Sequence, residues 1–204
     1  MFGTKLQHFL VLLVLCLFQS FVWSAPDKFD VTQTYPNQVV YDHSGSEFLS
    51  YDYGYTYNPI RWYAIFSGLN SLSSSAVITI QIWFRHTYNS DVTIQLYSPD
   101  GDYITLSNRR GSSLDNIFDG TLFTDSAANS VANYSFSNNV VATSVRPEDS
   151  FTKFRGKDPN GPWKIWLWDG YSSDNGYLDR VVLTINGILF FVPKPNIQQT
   201  NKIK

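Results

Sequence analysis

The sequence predicts an all-β fold, an antiparallel β-sandwich of jelly-roll type. Apolar and polar residues alternate over several short stretches, as they do on strands that bury one face. Clusters of Asn, Asp, Gly and Ser separate these stretches and are typical of turns. No segment keeps a helical period over three turns. Many short strands joined by polar turns are typical of sandwiches and jelly rolls, although this pattern leaves the strand order open.

The first 24 residues predict a cleaved signal peptide. Lys5 supplies the positive charge, and the apolar stretch FLVLLVLCLF that follows is too short to span a bilayer easily. Val22 and Ser24 provide a cleavage site. Because no later segment approaches eighteen apolar residues, we expect a secreted, extracellular chain without stable membrane insertion. What remains suits one domain with a sizeable core.

Cysteine usage and charge narrow the function classes. The single cysteine, Cys16, lies in the predicted signal peptide, so the rest of the chain forms no disulfide and depends on packing and on any bound metal. The chain has 15 basic and 17 acidic residues and a formal net charge of −2. Because no basic stripe is present, we expect no nucleic-acid partner.

The central strands show the clearest alternation. In AVITIQIWFRH, residues 76–86, one predicted face holds Ile78, Ile80, Ile82 and Phe84, and the other holds Thr79, Gln81, Trp83 and Arg85. The next predicted strand turns Val92, Ile94 and Leu96 inward, and it ends in a Ser-Pro-Asp-Gly turn whose Gly101 can take a positive φ.

A tryptophan-rich strand follows near the end of the chain. GPWKIWLWD, residues 161–169, places Trp163, Ile165 and Leu167 on one face. Lys164, Trp166 and Trp168 fall on the opposite face. If the first set is core, two tryptophans lie on the side that should meet water.

The two flanks differ from this centre. Residues 25–75 are polar and rich in tyrosine and serine, which indicates either extra strands that pack on the sandwich or a flexible arm. The tail, residues 188–204, begins apolar and is expected to be largely disordered after Pro193. The sandwich domain is therefore expected over residues 76–187.

Three blocks within residues 86–187 resemble one known family. They are HTYNSDVTIQLYSPDGDYITLSNRRGSS, FDGTLFTDSA and RPEDSFTKFRGKDPNGPWKIWLWDGYSSDNGYLDRVVLTI. Together they resemble the P domain, or Homo B domain, which follows the catalytic domain in kexin- and furin-like proprotein convertases and in related subtilisin-like proteases. The resemblance implies a jelly-roll β-sandwich. It also implies that Trp166 and Trp168 stand at positions that are commonly polar in the family and that face away from the core.

The same resemblance bears on one turn. His86 to Tyr88 closes one strand and Asp91 opens the next, which predicts a tight hairpin with polar turn residues. The family usually has glycine where Ser90 stands. Either Asn89 therefore carries the positive φ, or the turn has a different geometry.

Catalysis is not expected. The resemblance covers only an accessory domain, and the sequence lacks the Asp, His and Ser motifs of a subtilisin-type peptidase. Beyond the predicted signal peptide the chain has two histidines, His43 and His86, and no cysteine, which disfavours a zinc site. We expect His86 to make a structural hydrogen bond to backbone or to an acid.

Four outward aromatic residues form a candidate binding face. They are Trp83, Tyr97, Trp166 and Trp168. An exposed aromatic cluster favours a protein partner, where Trp and Tyr are preferred anchors, or a polysaccharide, whose sugar rings stack on aromatic rings. The alternative is intramolecular cover by the tyrosine-rich segment 51–63 or by Phe190 and Phe191.

Two further site predictions concern loops. Four aspartates at predicted strand ends are candidate calcium ligands, since hard cations bind carboxylate oxygens that converge from loops. These candidates are Asp91, Asp125, Asp169 and Asp174. Asn133, in Asn-Tyr-Ser, is the single N-glycosylation sequon.

The expected function is that of a secreted, non-catalytic P-domain protein that serves as a binding or accessory module. One alternative is a subunit or regulator that acts in trans on a subtilisin- or kexin-like serine endopeptidase and so takes part in proteolysis. A second alternative is a carbohydrate-binding or extracellular-matrix module. The partner is accordingly a protein, such as a subtilisin-like protease, or a polysaccharide.

Overall fold

A computed structural model describes residues 33–35, 38–51 and 59–186 of the chain. The predicted signal peptide and the C-terminal tail lie outside these ranges. The strands in the described part of the chain are β1 (Gln33–Tyr35), β2 (Gln38–Ser50), β3 (Ile60–Phe66), β4 (Val77–His86), β5 (Val92–Tyr97), β6 (Tyr103–Asn108), β7 (Phe118–Thr124), β8 (Ser144–Val145), β9 (Gly161–Asp169) and β10 (Asn175–Asn186). Short 3-10 helices span Asn89–Asp91, Val131–Asn133 and Phe151–Phe154. No helix within these residues is long and apolar enough to cross a membrane.

The strands form two sheets packed as a sandwich. The six-stranded sheet has the order β1-β2-β10-β4-β7-β8, and the four-stranded sheet has the order β3-β9-β5-β6. Every pairing is antiparallel except the short parallel pairing of β7 with β8. The chain crosses repeatedly between the sheets, which is the connectivity of a jelly roll. The predicted fold class is confirmed.

The connection between β4 and β5 corrects the predicted hairpin. β4 belongs to the six-stranded sheet and β5 to the four-stranded sheet, so the turn is a crossover between layers. Neither Asn89 nor Ser90 has a positive φ. The N–H of Asp91 donates to the carbonyl of Tyr88, which closes a short 3-10 turn, and the Asn89 amide donates to the carbonyl of Leu114 at 2.6 Å. Because side-chain and backbone bonds fix this turn, it requires no left-handed residue.

The core lies between the sheets, as the alternation predicts. Trp163, Ile165 and Leu167 of β9 are fully buried. The Trp163 Nε1–H donates to the carbonyl of Pro159 at 2.9 Å, and its ring meets Phe154 edge to face at 5.0 Å between centroids. The apolar surface of Trp163 is thus packed in the core, and its one hydrogen-bond donor has a partner.

The N-terminal segment contributes strands to both sheets. β2 pairs with β10 in the larger sheet, and β3 pairs with β9 in the smaller one. Trp62 of β3 links the two additions, because its Nε1–H donates to the Glu47 carboxylate of β2 at 2.5 Å. The described part of this segment therefore widens the sandwich. Residues 52–58, within the tyrosine-rich stretch, lie outside the described residues, as do Phe190 and Phe191.

Candidate functional site

Aromatic side chains form a row on the outer face of the four-stranded sheet. Tyr97 on β5 lies at its centre. The Tyr97 ring stacks on Tyr103 of β6 with 5.0 Å between centroids, and it contacts Trp166 of β9 with 5.4 Å between centroids. Side chains alternate along each strand, and the residues between these aromatic residues fill the core. Strands β5, β6 and β9 therefore present the rings of Tyr97, Tyr103 and Trp166 on the same outer side of the sheet.

A lysine lies against this row. The Lys164 Nζ is 3.8 Å from the centroid of the Tyr97 ring and 5.0 Å from that of Trp166. Burial, and then the positive charge of Arg61, lower the pKa of Lys164. The ammonium is therefore partly desolvated and held by the negative faces of the rings, as in other cation–π contacts.

A second aromatic group surrounds Arg109 at the end of the sheet. The Arg109 guanidinium carbon is 5.3 Å from the Trp168 ring and 4.7 Å from the Tyr171 ring, and its Nη1 donates to the Tyr171 hydroxyl at 3.2 Å. Gly170 makes room for it, since a Cβ at that position would lie 2.6 Å from the Arg109 Nη2. The absence of a side chain at Gly170 thus lets the guanidinium lie flat beside the rings.

The charges on this surface are all positive. None of the side chains that point outward from β3, β5, β6 and β9 is acidic. Arg61 and Lys164 project from β3 and β9, and neither forms an ion pair with any residue that the structure describes. We call the surface formed by Arg61, Tyr97, Tyr103, Lys164, Trp166 and Trp168 the aromatic face.

The outer face of the six-stranded sheet has a different electrostatic character. There Arg85 pairs with Asp179 at 2.8 Å, and Arg180 pairs with Asp42 at 2.7 Å. Both arginines therefore have an adjacent carboxylate. The hydrogen bond from Arg180 holds the pKa of Asp42 below its usual range. Of the two outer faces, only the aromatic face carries positive charge without adjacent carboxylates among the described residues.

The structure brings together three of the four predicted aromatic residues. Tyr97, Trp166 and Trp168 lie on the aromatic face, whereas Trp83 on β4 lies on the outer face of the six-stranded sheet. The Arg180 guanidinium covers the Trp83 ring at 4.7 Å from its centroid. Alternation predicted that each side chain faces outward, but it could not show that Trp83 belongs to the other sheet.

The β3 strand lies beside the tryptophans and not over them. Arg61 of β3 is paired with Trp166 in the same sheet, so this part of the N-terminal segment extends the aromatic face. Trp166 is half-buried by its neighbours. Its Nε1–H is buried and has no hydrogen-bond partner among the described residues. This donor therefore remains unused in the part of the chain that the structure describes.

A buried histidine and two buried aspartates lie at one end of the sandwich. The His86 Nε2 is 3.4 Å from the Asp169 carboxylate, and the Tyr88 N–H donates to the His86 Nδ1 at 3.1 Å. The other Asp169 oxygen accepts the Tyr171 N–H at 3.1 Å. No serine, threonine or cysteine in the described ranges hydrogen-bonds to the His86 ring. This arrangement confirms that His86 makes the expected hydrogen bonds to backbone and to an acid.

Three of the four candidate calcium ligands lie near this end. Burial, and then the charge of Asp169, raise the pKa of Asp91, and Asp174 raises it further. Asp125 lies elsewhere, where its carboxylate accepts hydrogen bonds from Ser150 and from the Phe151 N–H at the start of a 3-10 helix. Within the described residues, no group of three or more His, Cys, Asp or Glu side chains is arranged to hold a metal ion. Calcium binding stays a prediction.

The glycosylation candidate is accessible. Asn133 is exposed at the end of the 3-10 helix Val131–Asn133, and Ser135 of the sequon is exposed as well. The Ser130 hydroxyl caps this helix by accepting the Ala132 N–H at 3.2 Å. Modification of Asn133 stays a prediction.

Several residues of the aromatic face were not selected from the sequence. The alternation of Ile104 and Leu106 would have placed Tyr103 outward, and Lys164 stands between two core residues of β9. Arg61 carried no such signal, because its position beside Trp166 depends on the pairing of β3 with β9. Strand pairing between distant segments is a tertiary property and is not encoded in local alternation.

Comparisons with known proteins identify the family. The family model described as the proprotein convertase P-domain matches residues 75–185. A search of curated proteins gave no match. Two similar solved structures are the serine protease of Aeromonas sobria, at 16% identity, and the complex of that protease with the chaperone ORF2, at 15% identity. Both have a TM-score of 0.38. The first match covers 76% of this chain and the second covers 77%, and each covers 28% of the matched chain. Because the family model spans more than half of the chain, this chain belongs to the proprotein convertase P-domain family.

Proposed function

We propose that this P domain is a non-catalytic accessory module that docks on a subtilisin-like catalytic domain through its aromatic face. The observation that carries the proposal is the combination of ring surface and unpaired positive charge on the outer face of the four-stranded sheet. The class of partner follows from the family, whose domain belongs to proteases of the convertase type.

Charge complementarity defines the surface that would fit. Arg61 and Lys164 project from neighbouring strands, and the sheet offers no acid beside them. A partner with carboxylates opposite these cations would gain favourable electrostatic attraction. The Tyr97 and Trp166 rings next to these cations supply the large, semi-rigid apolar contacts that dominate binding energy in protein interfaces. We therefore infer an acidic patch on the catalytic domain.

The geometry favours a protein partner over a polysaccharide. Sugar rings stack on open aromatic faces, but the Lys164 ammonium lies 3.8 Å from the centroid of the Tyr97 ring. Trp166 is tilted by 44° against Tyr97, so the two rings do not form a flat platform. Retention on a polysaccharide column is accordingly an outcome that would count against the proposal.

We also propose that the protein acts after export. The N-terminal 24 residues have the pattern of a signal peptide, with a positive charge followed by a short apolar stretch. Detection of the chain in the culture medium, with an N-terminus near Ala25, would support this part of the proposal.

Binding to a catalytic domain tests the proposal. The probe is a subtilisin-like catalytic domain of a convertase, expressed without its own P domain and held in an active-site-inhibited form. Calorimetry should detect binding of the wild-type protein, and the melting temperature of the catalytic domain should rise. Trp166→Ala should weaken binding by about 10-fold or more, as expected for an interface anchor.

The matched control is Trp83→Ala, which removes the same side chain from the other sheet. It should leave the affinity within about twofold of wild type. Folding of each variant is checked by near-ultraviolet circular dichroism. Equal losses in both variants, or no binding by the folded wild-type protein, would overturn the proposal.

A further inference from the structure

A second surface feature lies beside the aromatic face and takes no part in the proposed docking. It is an open cavity of about 590 Å³ between the turn at Arg109–Ser112 and the segment at Val131–Phe136. This volume falls within the range of known ligand sites. The two walls differ in chemistry, which restricts the ligand.

One wall is basic and rich in N–H donors. Arg109 and Arg110 both line it, together with Gly111 and Ser112. Glu148 accepts two of the Arg110 guanidinium hydrogens, and Arg109 has no carboxylate partner among the described residues. A guanidinium has five N–H donors, so donors remain on both side chains.

The backbone of this turn adds further donors. Arg109, Gly111 and Ser112 have positive φ values of 55°, 97° and 52°. No hydrogen bond in the described part of the chain uses the N–H of Arg110, Gly111 or Ser112. Turns that pass between right- and left-handed backbone conformations can direct successive N–H groups toward an anion.

Glycine at position 111 fixes this wall against the core. A Cβ on Gly111 would lie 2.2 Å from the Ile117 Cδ1 and 3.2 Å from the Asn89 Cβ. The turn therefore approaches the core more closely than any residue with a side chain would allow. Its N–H donors therefore lie on a turn that is packed against the core and next to the cavity.

The opposite wall is apolar. It is formed by Tyr134 and Phe136, and Leu114, which follows the basic turn, adds apolar surface beside them. All three side chains pack against the core. The Tyr134 and Phe136 rings lie 4.9 Å apart between centroids, and Phe136 meets Phe118 of β7 at 5.7 Å. None of the residues that line the cavity is acidic. A ligand that fits both walls has an anionic group next to an apolar side chain.

We propose that this cavity binds the C-terminal end of a peptide, with its carboxylate on the Arg110–Ser112 N–H groups and its last apolar side chain against Leu114 and Phe136. Capture of a terminal carboxylate by a group of backbone N–H donors is a recurring mode of peptide recognition. An apolar C-terminal residue carries its carboxylate and its side chain on the same Cα, so one residue can supply both groups to this cavity. The site is independent of the docking proposed above.

The test uses short acetylated peptides and the full chain labelled with ¹⁵N. One peptide ends in leucine with a free carboxylate, a second is its C-terminal amide, and a third has an internal glutamate and an amidated leucine end. The free acid should shift the amide signals of Gly111 and Ser112. Amidation should weaken binding by about 10-fold or more, because charge-assisted hydrogen bonds are lost.

A matched pair of variants tests the position of the carboxylate. Ala132 is exposed on the rim, and its side chain makes no native polar contact, so Ala132→Glu adds a negative charge without removing a contact. It should weaken binding of the free acid by about fivefold or more, whereas Ala132→Gln should stay within about twofold. The proposal would be overturned if the amidated peptide or the internal-glutamate peptide bound as tightly as the free acid. Shifts of amide signals that map away from the turn at Arg109–Ser112 would also overturn it.

Discussion

Single positions in this sandwich are fixed by close approaches of the backbone. Gly176 lies at the start of β10, where it pairs with Leu49 on one side and His86 on the other. A Cβ at Gly176 would lie 2.1 Å from the carbonyl oxygen of Arg85 and 2.7 Å from the His86 ring. Both obstacles belong to a central strand, so neither can move aside cheaply.

Gly176→Ala should therefore destabilise the fold by about 3 kcal/mol or more, measured by urea denaturation. The matched control is Gly170→Ala. Its Cβ would come too close only to the end of the flexible Arg109 side chain, since the Asp91 carbonyl oxygen at 3.5 Å is at an ordinary contact distance. The expected loss of stability is below about 1 kcal/mol. Similar losses at both positions would contradict the role assigned to the β4 backbone.

One surface ion pair should make the stability of the fold depend on pH. Hydrogen bonds from Lys157 and Ser98 lower the pKa of Asp100 from its usual value of 3.8 to about 2. A lowered pKa means that the folded state favours the ionised carboxylate. The contribution of Asp100 to stability is therefore present above about pH 4 and is lost as the pH falls toward 2.

Asp100→Asn should lower the melting temperature at pH 7 by about 1–3 °C, since the pair is largely exposed and screened by solvent. The difference from wild type should shrink steadily between pH 4 and pH 2 in a series of thermal scans. Asp115→Asn serves as the control, because the Asp115 carboxylate makes no hydrogen bond or ion pair with the described residues. A difference for Asp100→Asn that is constant with pH would contradict this assignment.

The strand β9 illustrates how one element serves two purposes. Its inward residues fill the centre of the core, and its outward residues form the middle of the aromatic face. The Trp163 ring is fully buried, and its N–H is satisfied by the Pro159 carbonyl. Trp166, three residues later, is only half-buried on the opposite side. The two tryptophans should therefore differ in their contribution to stability.

Trp163→Ala should cost about 3–5 kcal/mol, as for other large core truncations. Trp166→Ala should cost no more than about 2 kcal/mol, because this substitution removes less buried apolar surface than Trp163→Ala does. Chemical denaturation of both variants checks the difference. Equal and large losses would show that Trp166 is an interior residue, and the aromatic face would lose its anchor.

Elements could be predicted from the sequence where the signal is local. The alternation in residues 76–86 and 161–169 located two central strands and their buried faces, and Gly101 has the positive φ of 89° that its turn predicts. The connection after His86 was mispredicted as a hairpin. A polar turn of that length closes either a hairpin or a crossover, and only packing between the layers decides which one forms.

At the scale of the whole molecule, the two outer faces of the sandwich differ in charge. Arginines on the six-stranded sheet pair with aspartates, whereas the cations of the aromatic face pair with no acid among the described residues. The sequence alone indicated an outward cluster of aromatic residues. It could not show that Trp83 and Trp166 lie on opposite outer faces of the sandwich, nor that Arg61 lies beside Trp166. Both facts depend on which strands become neighbours.

In the docking that we propose, the cations of the aromatic face bind an acidic surface on a subtilisin-like catalytic domain. The most direct measurement is the dissociation constant of that complex, at low and high salt, for the double variant Arg61→Gln/Lys164→Gln and for the control Arg85→Gln. We expect the double variant to bind about 10-fold more weakly at low salt and to lose most of the salt dependence, while the control behaves as wild type. Equal affinities for the double variant, the control and the wild type, with the same salt dependence, would contradict it.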